Sequence, residues 1–276
     1  MSSELDDSSS GANKHTIVTS AMAYLELIKF RYHVTFLTVV FAALIFAPLI
    51  EASVFRSLAG LYISFNVLLY SGIYTLNDLR DLKSDLQHAR KRNRPLPSGR
   101  IPVRNARYFA AVLIAAGLIS ARILFGPPIF AVYLAVLGLN VFYSFFARNV
   151  AYLDIAVNTA THPLRFLLGV LLTDRGIPFL HLFAYFFFVF GLSCLRRDLE
   201  KEVQGWEARP TLKAYSREKL LALELISLLL VLCCLWADGF VSKGFYLVIT
   251  PAYLFLVLGA RWSSPLRNLL HAIWTR

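Results

Sequence analysis

The sequence predicts an all-α, multi-pass transmembrane helical bundle of about eight to nine spans around a central polar cavity. Three observations lead there. Of the 276 residues, 57% are hydrophobic and 16% charged, and the mean hydropathy is +0.59. Soluble domains carry about 25% charged residues, so this chain lacks the polar groups to cover a water-exposed surface. The apolar residues come in long uninterrupted runs, each near the roughly 20 residues that cross a hydrocarbon core. Compact charged segments separate those runs. A water-soluble globule, a disordered chain, a coiled coil and a disulfide scaffold are thereby excluded.

Residues 1–20 are expected to form a disordered cytosolic tail, because the opening stretch is Ser-rich and polar with no apolar run of a signal peptide. Residues 21–260 are read as one transmembrane domain. The pattern becomes amphipathic at Ala21 and enters a first span at 33–50. Further spans are expected at 57–76, 108–124, 129–146, 153–173, 180–195, 220–236 and 240–259. Residues 261–276 mix Trp262, Leu266, Leu269, Leu270 and Trp274 with three arginines. That is an amphipathic C-terminal segment, either an interfacial helix or a truncated ninth span. Cys194, Cys233 and Cys234 all lie in apolar runs, where cysteine is a small hydrophobe.

Net charge is +11, with 28 Lys+Arg against 17 Asp+Glu. With the N-terminus in the cytosol, 23 of those 28 fall on the cytosolic side, most of them in loops 80–107 and 196–219. Only Arg56, Arg122, Arg175 and Lys243 fall opposite, and Arg165 lies within a span. The asymmetry fits the positive-inside rule, so an integral membrane location with cytosolic loops is expected. Nucleic acid is not an expected partner, because the basic residues sit between spans, where topology and anionic phosphate ligands account for them.

The first large loop carries the chemistry. Asn77, Asp81 and Asp85 are spaced i, i+4, i+8, with Asp78 beside them. On a helix continuing from the second span these side chains share one face. Like charges at that spacing repel. A divalent cation reverses the sign, and an all-oxygen set suits Mg²⁺, which keeps waters and shares substrate phosphates. Next comes the run Arg90, Lys91, Arg92 and Arg94, then Pro95, Pro97 and Gly99, which are expected to end the helix and set a turn. Acidic metal ligands beside phosphate-pairing cations are what a diphosphate ester needs. Asp198, Glu200 and Glu202, interleaved with Arg197 and Lys201 in the second loop, are either a second metal and phosphate shelf or an ordinary juxtamembrane helix. Trp206 and Arg209 follow in the same loop.

These motifs resemble a known family. Asn77-x-x-x-Asp81-x-x-x-Asp85 followed by Asn93-Arg94-Pro95-Leu96-Pro97-Ser98-Gly99 is similar to the first signature of the UbiA prenyltransferase superfamily, and Tyr143-Ser144 and Leu153-Asp154-Ile155 also fit. The resemblance implies an intramembrane transferase that ionises an isoprenoid diphosphate with Mg²⁺. The second loop departs from the usual second Asp-x-x-x-Asp. Its Arg196-Arg197-x-x-Glu200 is more similar to the branch that transfers phosphoribosyl to a polyprenyl phosphate. The expected metal set is therefore Asn77, Asp78, Asp81 and Asp85 with Asp198, Glu200 and Glu202. Asp81, Asp85 and Arg197 are the expected catalytic residues, and Lys91, Arg92, Arg94, Arg165 and Arg197 the expected diphosphate partners. The lipid partner is an isoprenoid diphosphate or a polyprenyl phosphate, and the acceptor stays open.

Arg165 sits inside the fifth span, in Thr161-His162-Pro163-Leu164-Arg165. A central charge costs at least about 2.5 kcal/mol there, so it faces a cavity or a partner, with Asp154 or Glu224 as possible acids. His162 and, on resemblance alone, Tyr143 are cavity candidates. The rival class is a multi-pass transporter or structural membrane protein, which would place charged or broken helices near the midplane in repeated halves; no repeat of the first motif is present.

Overall fold

The structure, a computed structural model, describes residues 21–47, 51–173, 175–204, 210–238 and 243–275. The expected tail 1–20, Trp206 and Arg209 lie outside the described residues. Among them are nine helices and no strand: α1 (Ala21–Phe46), α2 (Ala52–Gln87), α3 (Val103–Leu124), α4 (Pro127–Phe145), α5 (Leu153–Val170), α6 (Phe179–Gln204), α7 (Arg217–Ala237), α8 (Gly244–Trp262) and α9 (Ser264–Thr275). Seven, all but α5 and α9, are long and apolar enough to cross a membrane.

Two differences from the expected spans have physical reasons. The fifth expected span is a helix, but it carries Asp154, Asn158, His162 and Arg165. Much of it is buried, from Asp154 and Ile155 to Phe166 and Val170, so protein rather than lipid surrounds it and it need not be apolar throughout. Helix α9 has 12 residues, about 18 Å at 1.5 Å per residue, too short for a hydrocarbon core.

The chain divides into two compact units. Unit 1 comprises residues 1–37 and 55–133, and unit 2 residues 38–54 and 134–276. In unit 1, α2 and α3 are antiparallel and touch through glycines. A Cβ on Gly72 would lie 2.6 Å from Ile114, and one on Gly117 would lie 2.8 Å from the Leu69 backbone. Without a hydrophobic drive between helices in lipid, such close backbone packing is what holds them. A π-helical segment, Tyr62–Tyr70, lies within α2, and the buried Ser64 hydroxyl meets that of Tyr133 at 2.7 Å. The chain beyond α2 folds back: Leu96 and Ile101 are buried with Ala23, Leu27 and Ala106, against Leu79 and Leu82. Helix α2 continues through Asp85, as the spacing predicts, but ends at Gln87 with His88 extended. The basic run therefore lies outside the helix, and Pro95, Pro97 and Gly99 (φ 75°) shape the returning turn rather than terminating α2.

In unit 2, α5 packs on residues 38–46 through Gly169, whose Cβ would collide with the Val39 carbonyl. Phe166, Val170, Ala184, Tyr185, Val231, Phe245 and Ile249 form one core. Ile155, Cys194, Leu212, Tyr215 and Leu220 form a second, where the α6–α7 connection folds down. Ser216 caps α7 by accepting from the Lys219 amide, which fixes where that connection ends.

Candidate functional site

In unit 1 the acidic face of α2 is built as the spacing predicts, and its charges are answered by the returning chain. Asp78 and Asp85 are buried, while Asn77 and Asp81 are half-buried. Arg94 lies between the two buried carboxylates: its Nη1 is 2.8 Å from Asp85 Oδ2 and 3.6 Å from Asp78 Oδ1. Lys91 Nζ stands 3.8 Å from Asp85. Asp81 accepts from its neighbour Arg80 at 2.6 Å. Arg92 is exposed on the short Lys91–Asn93 turn.

Lys29 is one residue that sequence reasoning missed. Its Nζ donates to Asp78 at 2.5 Å and stands 5.9 Å from the Tyr74 ring centroid. It is held there by a left-handed backbone, φ 55° and ψ 50°, a conformation costly for a residue with a Cβ. The available signal was a lone lysine at the mouth of the first span. The turn is further tied down by Arg100, which forks onto Glu26 at 2.6 and 2.7 Å. That hydrogen bond holds the Arg100 pKa above its ordinary value.

Unit 2 holds a second polar cluster at the C-terminal end of α6. Buried Arg197 donates from Nε to Asp154 Oδ2 at 3.1 Å and from Nη1 to Glu200 at 2.5 Å, and its Nη2 stands 3.0 Å from the same Asp154 oxygen. The Tyr215 hydroxyl donates to the other oxygen of Asp154. Burial, and after it this carboxylate, push the Tyr215 hydroxyl well above its ordinary pKa, so it stays a donor. Tyr143 is half-buried near the C-terminal end of α4. Asp198 meets Arg261 at 3.3 Å and Arg217 at 3.6 Å. Glu202 meets Arg217 at 2.8 Å and Arg267 at 3.5 Å.

Arg165 is buried and His162 half-buried on α5, where the charge of one acts on the other. Glu224, one of its two possible partners, is taken by Arg261 in a fork of two 2.8 Å bonds. Arg261 was not foreseen, since it lies in the tail set apart from the spans. Within neither unit do three His, Cys, Asp or Glu side chains gather as a metal cluster among the described residues. The donors on α2 nevertheless fit Mg²⁺ in kind, because that ion takes one or two carboxylates and completes its shell with substrate phosphates and water.

A model of the UbiA prenyltransferase family matches residues 32–269. An uncharacterized protein of Sinorhizobium fredii is 37% identical over 48% of this chain and 26% of its own length. The decaprenyl-phosphate phosphoribosyltransferase of Mycobacterium tuberculosis is 28% identical over 66% of this chain and 62% of its own. The digeranylgeranylglyceryl phosphate synthase of Sulfolobus acidocaldarius is 38% identical over 36% of this chain and 34% of its own. The chain thus spans less than two thirds of each of these relatives. Among solved structures, the fold is similar to that of a UbiA homologue from Archaeoglobus fulgidus bound to GPP and Mg²⁺. That likeness has a TM-score of 0.70 at 20% identity and covers 91% of this chain and 96% of that one. With the family match extending over most of its length and the same multi-pass helical fold, the chain belongs to the UbiA prenyltransferase family.

Proposed function

We propose that this protein is an integral-membrane, Mg²⁺-dependent transferase that ionises an isoprenoid diphosphate and passes the prenyl group to a small or lipid acceptor. The observation that carries it is the pair of buried carboxylates, Asp78 and Asp85, on one face of α2 with Arg94 between them and Lys29 and Lys91 alongside. Asn77, Asp78, Asp81 and Asp85 would hold the metal, which when bound supplies Lewis-acid stabilisation of the leaving diphosphate. Arg94 forks onto diphosphate oxygens, Lys91 and Arg92 add point charge, and the turn 91–99 keeps them fixed, so little reorganisation is needed as charge grows on the leaving group. In unit 2, Arg197 is oriented by Asp154 and Glu200, with N–H groups to spare among its five. Asp198, Glu200 and Glu202 would serve as further metal ligands, Arg165 as a diphosphate partner, and Tyr143 and His162 as cavity residues. The N-terminus and both polar loops face the cytosol, in keeping with the charge asymmetry.

A second reading has its own support. The decaprenyl-phosphate phosphoribosyltransferase relative aligns over 190 residues, and the chain carries Arg197-x-x-Glu200 in place of a second Asp-x-x-x-Asp. Phosphoribosyl diphosphate would then be the donor and a polyprenyl phosphate the attacking group. One experiment separates them. Purified protein with Mg²⁺ is given each donor in turn, with matching acceptors, and diphosphate release is followed. Release with an isoprenoid diphosphate, lost in Asp81→Ala and Asp85→Asn, is expected. Release with the sugar donor alone moves the assignment to the second reading, and wild-type turnover in both variants overturns the metal assignment.

A further inference from the structure

Unit 2 contains a cavity of about 860 Å³ that has no part in the chemistry above. It is lined at one end of α6 by Phe46, Arg175, Phe179, His181, Asp238 and Phe245, among others. His181 opens α6 and Arg197 lies sixteen residues on. At 1.5 Å per residue the two ends are about 24 Å apart, close to the thickness of a hydrocarbon core. The cavity therefore sits at the membrane face opposite the Asp154–Arg197–Glu200 cluster.

Its floor is apolar and its donors are unspent. His181 is 4% exposed and packed among Phe46, Phe245 and Tyr246, with ring centroids at 5.1, 4.8 and 5.3 Å. His181 Nε2 has no hydrogen-bond partner among the described residues. Buried polar atoms left so are rare and call for a ligand or water. The first turns of α6 and α8 both reach the cavity, at Phe179 and Gly244, bringing two positive helix ends to one place. Arg175 adds a full charge at the exposed mouth. Asp238 is the one acid in the lining among the described residues. Exposed Phe179 and Leu180 continue the apolar surface outward.

We propose that this cavity binds a phosphate anion, carried on a lipid of the leaflet opposite the Asp154–Arg197–Glu200 cluster. Arg175, the His181 imidazole and the two helix ends take the phosphate oxygens, while Phe46, Phe179 and Phe245 cover the start of the acyl chains. Free inorganic phosphate shares the head-group chemistry, but it lacks the apolar part that the aromatic floor would cover.

The test is native mass spectrometry of the full chain in detergent, titrated separately with phosphatidic acid, phosphatidylcholine and inorganic phosphate. Arg175→Gln, His181→Phe and Asp238→Asn are compared with wild type. Wild type is expected to retain phosphatidic acid in preference to the other two. Arg175→Gln and His181→Phe should each lose about tenfold in affinity, the value of one charge-assisted hydrogen bond, and Asp238→Asn should gain. His181→Phe keeps a ring in the aromatic packing, and Arg175 is exposed, so its variant carries the test even where the ring substitution disturbs folding. Inorganic phosphate binding as tightly as phosphatidic acid, with both lost in Arg175→Gln, would keep the anion site and overturn the lipid source. Equal retention of phosphatidic acid by wild type, Arg175→Gln and His181→Phe would overturn the site. Diphosphate release is expected to survive all three substitutions, so failure here and failure of the proposed transferase activity are read separately.

Discussion

Three substitutions around Arg197 form a graded series whose order follows from the geometry. Tyr215→Phe removes one hydrogen bond to Asp154 and leaves the ion pairs of Arg197 intact; a single bond of this kind is worth about 0.5–1.5 kcal/mol net. Asp154→Asn keeps the shape and an acceptor for Tyr215, but removes the charge under two Arg197 contacts at 3.1 and 3.0 Å. Bonds to charged groups contribute about 1.5–3 kcal/mol. Arg197→Met is worst. It removes the guanidinium from Asp154, whose side chain is 0% exposed, and one of two arginines from Glu200, at 11%, and breaking a buried pair from one side costs about 3–5 kcal/mol. Thermal unfolding in detergent at one scan rate should show the same order, with each kcal/mol moving Tm by about 2 °C in a chain of this size. That gives drops of roughly 1–3, 3–6 and 6–10 °C. Activity should separate orientation from stability: below each variant's Tm, Asp154→Asn lowers kcat by about tenfold or more while Tyr215→Phe leaves it within a few-fold. An Arg197→Met protein as stable as Tyr215→Phe would mean that Asp154 and Glu200 are not buried against this guanidinium, and the cluster would have to be abandoned.

Arg261→Met should destabilise by about 3–5 kcal/mol, because it leaves fully buried Glu224 without its fork; the added Glu224→Gln should restore most of the lost Tm. Gly72→Val places a side chain where a Cβ is already 2.6 Å from Ile114, so it should part α2 from α3 and lower both Tm and yield, by about 1–3 kcal/mol. Arg94→Lys keeps charge near Asp78 and Asp85 but loses the planar guanidinium that would fork onto diphosphate oxygens. It should raise KM for the diphosphate donor more than it lowers kcat, as measured by initial rates. Chelation of divalent cations should stop diphosphate release, with activity returning on added Mg²⁺ and not on Na⁺.

The helical membrane architecture was legible because it rests on composition and run length, and those survive without knowledge of packing. The same holds for the acidic face of α2. Spacing of i, i+4, i+8 places Asn77, Asp81 and Asp85 whatever the rest of the chain does, and α2 does run through Asp85. Where α2 stops was not legible. Pro95 and Gly99 are strong punctuation, yet the break comes at His88, because Leu96 and Ile101 are drawn into the Ala23–Leu27 core and the chain must turn early to reach it. Ion-pair partners were not legible either. Glu26 and Arg100 are 74 residues apart in sequence, and only the fold-back brings them together.

Arg197 shows why this failure has a direction. From sequence, an arginine beside acids at a helix end reads as a phosphate ligand, and nothing in the spacing tells whether its charge is offered to a ligand or already answered by carboxylates. In the folded chain it is answered twice, by Asp154 from α5 and Glu200 from its own helix. Two carboxylates on one guanidinium leave a local excess of negative charge. In a buried place that excess is tolerable only beside further donors, and Tyr215 supplies one to Asp154, while Arg196 supplies another to Glu200 at 2.8 Å. The arrangement fixes the plane of Arg197 before any substrate arrives. Its remaining N–H groups are thus aimed rather than searching, which lowers the entropy lost when they meet an oxygen anion. An acid-rich surrounding is therefore compatible with anion recognition by Arg197, provided the incoming group brings its own cation, as a magnesium diphosphate does.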